Sequence, residues 1–350
     1  MSEDSKEQTV QSILPLVKSY FLEEGSKIFK TMINTVEFTA TQTKLRRGVS
    51  GSVLISTVYY NTEYGSANCS IALKFFEDKS SALNEIKNAM ALEYKFKSAP
   101  SFGVPKVIFA STSDPILIVY EGVSGTNYDE LIVENKAYEA GRLLSLIHGS
   151  QSRPVDLDIY RNLIRMLGSH ISTTGMEKQL SNSLSNHFLK LEGALSGCDP
   201  FSDFHQSNVM ISTINQRISK IHVIDPEFMQ KGNFDRLEDV GTFFGHQLLD
   251  EFIKTNGIKQ GLIDINEFFK GYQQQATDTN GMSLSAMYPR GNPIAFFIAQ
   301  WAIMDALDIA INRGGDLNSP DVMIRLKFSL FVLDSVEIKF PAITNKENFY

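Results

Sequence analysis

The chain has 350 residues, 43% of them hydrophobic and 21% charged, with a formal net charge of −7 and an isoelectric point near 5.5. That composition excludes wholesale disorder and leaves room for two lobes or one large domain. The acidic balance disfavours a nucleic-acid partner, which needs a basic stripe, and two cysteines, Cys69 and Cys198, build no disulfide framework and fit a reducing compartment.

Residues 1–35 open with a polar stretch that lacks the apolar core of a secretory signal. Val10, Ile13, Leu14, Val17 and Phe21 then recur at helical spacing, which predicts an N-terminal helical extension. From Val36 the pattern turns to β-branched and aromatic runs. Strands are expected at 53–60 and 70–76, joined by a turn through Asn61 to Asn68. A helix follows from about Ser81 to Lys97, ended by Pro100 and Gly103-Val104-Pro105, and then strands at 106–110 and 116–120. Residues 36–120 therefore read as a strand-rich N-lobe, 121–127 (Glu-Gly-Val-Ser-Gly-Thr-Asn) as a hinge, and 128–350 as a mainly helical C-lobe with an inset hairpin at 208–213 and 218–224. The fold class is α+β. The most apolar run, Ile294 to Ile311, is interrupted by Gln300, Asp305 and Asp308, so no membrane span is expected, and a cytoplasmic protein is. Repeats and low-complexity tracts are absent from the sequence.

Several segments carry residues suited to chemistry. Gly48, Ser50, Gly51 and Ser52 precede a strand, where clustered backbone N–H groups make an anion-binding concavity or a plain hairpin turn. Lys74 interrupts an apolar strand, so it either reaches solvent or meets an anion. On the following helix, Leu83, Ile86, Ala89, Met90 and Phe96 form a broad apolar face with Glu93 near its middle and Glu85 toward its edge, so Glu93 is the expected partner of Lys74. Asp203, Asn208 and Asp225 fall at the ends of the predicted hairpin. Their oxygens are the hard donors that Mg²⁺ takes, and Asp203 is placed to accept a proton from a hydroxyl. In this order the segments form a parts list for phosphoryl transfer from ATP.

Asp203-x-His205-x-x-Asn208 resembles the catalytic loop of the aminoglycoside phosphotransferase and choline kinase-like family, whose fold is bilobal and protein-kinase-like. Leu143-Leu144-Ser145-Leu146-Ile147-His148 resembles the helix before that loop, and Gly103-Val104-Pro105 a turn after the glutamate helix. Ile224-Asp225-Pro226-Glu227, with Asp239-Val240-Gly241 downstream, is similar to methylthioribose kinase. The resemblance implies that Lys74 grips the α- and β-phosphates with Glu93 behind it, that Gly48 to Ser52 cover the triphosphate, and that adenine lies against Val119, Tyr120, Glu121, Gly122 and Val123. It implies further that Asp203 is the catalytic base, that Asn208 and Asp225 hold Mg²⁺ with Glu227 as a second metal contact, and that His205 is a structural support. Phe201-Ser202 stand where the family has His-Gly, a departure that bears on loop geometry and keeps a nucleotide-binding pseudokinase as the alternative.

Trp301, Asp305 and Asp308 share one side of the 294–312 helix, where they form either a wall for a cationic substrate or a solvated face. His170, His187, His222 and His246 lack metal-ligand spacing and read as packing or surface residues. The expected activity is ATP- and Mg²⁺-dependent phosphorylation of a hydroxyl on a small metabolite (a sugar, an amino alcohol or an aminoglycoside-like compound), with no nucleic-acid or membrane partner. Oligomeric state is not legible in the sequence.

Overall fold

The computed structural model describes residues 15, 18–19, 21–23, 32–39, 46–47, 51–113, 116–149, 154–170, 175–191, 197–229, 234–280, 283–288, 292–311, 313, 318–335 and 338–340. The chain divides into two compact units: Met1–Thr126 with Met210–Ile214 and His222–Phe228, and Asn127–Val209 with Asn215–Ile221 and Met229–Tyr350. Asp225 and Glu227, expected with the helical part, thus fold with the strand-rich part.

The strands of the first unit are β1 (Ile33–Thr39), β2 (Arg46–Arg47), β3 (Gly51–Thr62), β4 (Gly65–Phe76), β5 (Phe102–Gly103), β6 (Val107–Ser111) and β7 (Leu117–Glu121), and all but β5 form one antiparallel sheet. Its order is β1-β3-β4-β7-β6, with β2 paired to β3 and the two-residue β5 outside this sheet. Strands alternate their side chains between two faces. On one face Ile71 and Leu73 join Val36, Val58, Leu117, Val119 and the helical residue Phe21 in a closed apolar cluster. Ala72, Lys74 and Phe76 point to the other face, where Phe76, Ile118 and Tyr120 pack under Ala82 of helix Lys79–Phe96. Strand pairing begins at Ile33, earlier than expected, and the β3–β4 turn is tighter than expected. The strands run on to Thr62↔Gly65 because the Thr62 hydroxyl donates to the Gly65 carbonyl (3.0 Å) and accepts from the Tyr64 N–H (3.1 Å). Asp78 starts the helix by accepting from the Ser81 N–H at 2.9 Å.

Helices dominate the second unit. Lys136–His148 lies against Lys259–Asn280 at glycine contacts: a Cβ on Gly141 would come within 2.0 Å of the Phe268 carbonyl oxygen, and one on Gly271 within 1.8 Å of that of Tyr138. The hairpin strands Val209–Ile214 and Arg217–Val223 turn through Asn215 and Gln216, both left-handed (φ 51° and 61°), the geometry a two-residue hairpin loop favours. Helix Ile294–Ile311 is long and apolar enough to cross a membrane, but Ile294 to Gln300 are buried without interruption and Ala302, Ile303, Ala306 and Leu307 follow, as in a core helix.

Candidate functional site

Period two on β4 turns Lys74 toward helix Lys79–Phe96, where it is 5% exposed. Its ammonium binds Glu85 at 2.6 Å, Glu227 at 3.0 Å and also Asp225, with the Phe76 ring centroid 5.0 Å away. The second Glu85 oxygen accepts from the Tyr120 hydroxyl. Asn88, one helical turn beyond Glu85, donates to the Pro226 carbonyl at 2.9 Å and so ties the 225–227 turn to the same helix. Asp225 itself has a left-handed backbone (φ 61°).

These contacts set the protonation balance. Burial alone would pull the Lys74 pKa down; Glu85 and Asp225 reverse this and leave it raised. Burial pushes Glu85 up, to about 7, against the pull of Lys74. Three carboxylates therefore face one ammonium, and the surplus is negative.

Glu93, expected to hold Lys74, is exposed and takes no part. The helix buries Ala82, Glu85, Ala89, Leu92 and Phe96, and Glu93 lies one residue past Leu92, about 100° round the axis. Leu83 and Met90, expected on the buried face, are 46% and 62% exposed. Small alanines make the side that fits against the sheet, and the larger apolar residues point away.

The donor set suits a divalent cation. Oxygens of Glu85, Asp225 and Glu227 lie within 4.8 Å of one another, all hard ligands, and the Asp225 side chain is one-third exposed. Of the phosphate-loop residues, Gly48 and Ser50 lie outside the described residues, while Gly51 and Ser52 begin β3. In the hinge, the Glu121 and Gly122 N–H groups are used by the Lys106 and Ser70 carbonyls (2.8 and 2.7 Å). Val123 is the next N–H along the chain.

In the second unit Asn208 donates its amide to the Asp203 carbonyl (3.0 Å) and carboxylate (3.1 Å). The Asn208 oxygen lies outside these bonds. His205 stands 3.6 Å from the Asp203 carboxylate, and its N–H donates to the Asp203 carbonyl. The loop backbone is fixed from behind by Asp239, which is fully buried: it accepts from the Phe201 N–H (2.7 Å), the Ser202 N–H (2.8 Å) and the His148 ring (2.8 Å). The Tyr272 hydroxyl meets the other His148 nitrogen at 2.8 Å, so an imidazole protonated at Nε2 satisfies both partners. Phe201 buries its ring against Phe204, and Phe204 stacks on Phe243. The loop is thus held without a histidine at 201. Asp239 and His148 were visible in the sequence only as family-like positions, because the amides that Asp239 holds are 37 and 38 residues away and its contact with His148 spans 91.

The acids expected either to face a cationic substrate or to make a solvated face are already paired with arginines. Asp305 is bound by Arg325 at 2.5 Å and Asp308 by Arg313 at 2.7 Å. The Trp301 ring lies on Gly245, where a Cβ would come within 2.2 Å of it, and meets the His246 ring edge-on with centroids 4.6 Å apart. Burial lowers the His246 pKa, against the opposing pull of Asp305.

No protein-family model matches the chain, and no curated protein matches it in sequence. Among solved structures it is similar to a choline kinase from Streptococcus pneumoniae (15% identity, 93% of this chain and 100% of the other, TM-score 0.47). It is also similar to a Plasmodium vivax ethanolamine kinase (14%, 84% and 81%, TM-score 0.48) and to a spectinomycin phosphotransferase in complex with ADP and spectinomycin (14%, 89% and 96%, TM-score 0.44).

Proposed function

We propose that the protein is an ATP- and Mg²⁺-dependent phosphotransferase acting on a hydroxyl group of a small metabolite. The observation that carries this reading is the Lys74 ammonium bound by Glu85 and, at once, by Asp225 and Glu227. Desolvating charges costs several kcal/mol per ion, and one carboxylate is enough to neutralise a buried ammonium, so a cluster of three acids exceeds what the fold alone requires. Arranged this way, Lys74 and its partners offer a cation for phosphates and acids for a metal.

Lys74 grips the phosphates, and Glu85 keeps its ammonium in place. Asp203 orients the acceptor hydroxyl and takes its proton at the carboxylate oxygen not bonded to Asn208. The hydroxyl oxygen bonds to the terminal phosphorus as the bond from that phosphorus to the bridging oxygen breaks, and ADP carries the bridging oxygen away. Asp225 and Glu227 would hold magnesium, which when bound would supply charge neutralisation on the phosphates, and Asn208 offers a metal-binding oxygen of its own. Val123 offers the N–H for adenine. Most of the rate comes from positioning and fixed charge.

The test is transfer from γ-labelled ATP with Mg²⁺ to a panel of sugars, methylthioribose, homoserine, choline and aminoglycosides, with Asp203→Ala alongside. Transfer to one class, abolished in the variant, is the expected result. If MgATP neither transfers phosphate nor raises the melting temperature, the nucleotide site is misassigned. A rise in melting temperature with no transfer to any acceptor favours the pseudokinase.

A further inference from the structure

The second unit holds a cavity of about 780 Å³ whose wall includes His205, Gln206, His246, Gln247, Asp129 and Asp250. Two of these follow Asp203 by two and three residues, so the cavity opens beside the expected base. Its volume falls within the roughly 300–1,000 Å³ range of small-molecule sites.

A hydrogen-bond relay runs along the wall. Gln206 donates to the Gln247 carbonyl at 2.5 Å, Gln247 donates to Asp264 at 2.5 Å, and Gln260 donates to the other Asp264 oxygen at 3.3 Å. An ionised carboxylate only accepts, so Asp264 dictates which end of the Gln247 amide faces it, and Gln247 in turn dictates the orientation of Gln206. The Gln206 carbonyl is left as an acceptor, with one N–H on each of Gln206 and Gln247 outside the relay. Together with two imidazoles, this wall both donates and accepts.

The wall carries three carboxylates, Asp129, Asp250 and Glu251, and one lysine, Lys254. Glu251 is spent capping the next helix, accepting from the Gln260 and Gly261 N–H groups at 2.8 Å each. Asp264 is occupied by two amides. Asp129 and Asp250 are exposed, and Lys254 stands one turn beyond Asp250 on the same helix. Phe243 is the one phenyl or phenol ring among the wall residues, whereas recognition of quaternary ammonium takes an aromatic cage.

We infer that this cavity is the acceptor site and that its Gln206–Gln247–Asp264 relay selects a neutral polyhydroxyl compound, a sugar or sugar alcohol, over an ammonium-bearing acceptor. The inference rests on the phosphotransferase reading. A polyol both donates and accepts, matching the fixed amides, and an analogue that lacks such hydroxyls leaves them unpaired.

Ligand-observed NMR on the full chain tests it, with one mixture of D-ribose, D-glucose, D-mannitol and methylthioribose and another of choline, ethanolamine and spermidine. MgATP is followed in parallel by thermal shift. At least one neutral compound binds, and Gln247→Leu weakens it about tenfold or more while leaving the MgATP shift intact. Gln206→Ala, on the loop, does the same and serves where Gln247→Leu fails to fold. Binding of the ammonium set alone, no binding of any neutral compound, or polyol binding unmoved by both variants overturns the inference. If wild-type protein gives no MgATP shift, the phosphotransferase reading fails first; a normal shift with polyol failure removes this inference alone.

Discussion

Lys74 and Asp239 are both charged residues sunk in apolar surroundings, one in each unit, and their surroundings are opposite in kind. Asp239 is fully satisfied: two backbone N–H groups and an imidazole converge on it, all from parts of the chain that must stay where they are. Lys74 faces more negative charge than it can neutralise, and one of its partners, Asp225, opens to solvent. A closed set of bonds holds backbone in place. An unbalanced set has charge left for a ligand. On the proposed function, the difference separates residues that build a site from residues that work in it.

The largest expected effect tests that separation directly. Asp239→Ala leaves two buried N–H groups and His148 without their acceptor and should cost about 3–5 kcal/mol of unfolding free energy in urea titrations. Asp225→Ala, which removes one of three acids around one ammonium, should cost no more than about 1 kcal/mol and still abolish transfer. Equal stability losses for the two would erase the distinction.

Next in size is the choice of glutamate. Glu85→Gln loosens the hold on Lys74, and misplacing a catalytic group by about 1 Å costs on the order of 100-fold in rate. Glu93→Gln, on the exposed side, should change stability by no more than about 0.5 kcal/mol and leave steady-state kinetics with MgATP as they were. A loss of activity in Glu93→Gln with Glu85→Gln intact would reinstate the sequence-based expectation.

That pair also marks how far the sequence could be read. Lys74 stood out because a lysine in Ile71-Ala72-Leu73-Lys74-Phe75-Phe76 has no local partner, and the Asp203–Asn208 spacing is local too. The lobes, the β3–β4 pair and the hairpin followed from periodicity. The phase of the 79–96 helix did not, because Ala82 and Ala89 carry little hydrophobic weight in the sequence yet fit closest to the sheet, whereas Leu83 and Met90 weigh more and face out. Contacts made at long range were equally hidden. Nothing near Asp305 announces Arg325, twenty residues on, and nothing near Asp239 announces the amides of Phe201 and Ser202.

Glu238 provides the matching test for a buried acid whose side chain is held by a hydroxyl and an amide. Burial raises its pKa to about 7, opposed by the hydroxyl of Tyr160 at 3.0 Å; Gln300 lies at 3.4 Å. The folded state therefore holds an extra proton between about pH 4.5 and 7, and stability falls as pH rises through that window. Glu238→Gln should remove that slope and raise stability at pH 8 by about 1–2 kcal/mol. The Gln300 carbonyl oxygen, buried and without a partner among the described residues, can turn to accept from the new amide. Urea midpoints at pH 5 and pH 8 for both proteins decide it: an unchanged slope would mean that Glu238 is not the group responsible.

The smallest effect lies at the position where the loop departs from its family-like pattern. Ser202 has φ 68°, in the left-handed region that L-residues enter at a cost of roughly 1–2 kcal/mol and glycine enters freely. Its side chain is exposed, so the strain is not recovered through packing, and its N–H to Asp239 does not depend on the side chain. Glycine gives back part of the gain through its larger unfolded-state entropy, so Ser202→Gly should stabilise by about 0.5–1 kcal/mol with activity unchanged. A destabilised Ser202→Gly would mean that the serine hydroxyl, and not Asp239 alone, holds the 201–208 loop, and the loop would then belong with the Lys74 cluster as a place where side-chain chemistry overrides backbone preference.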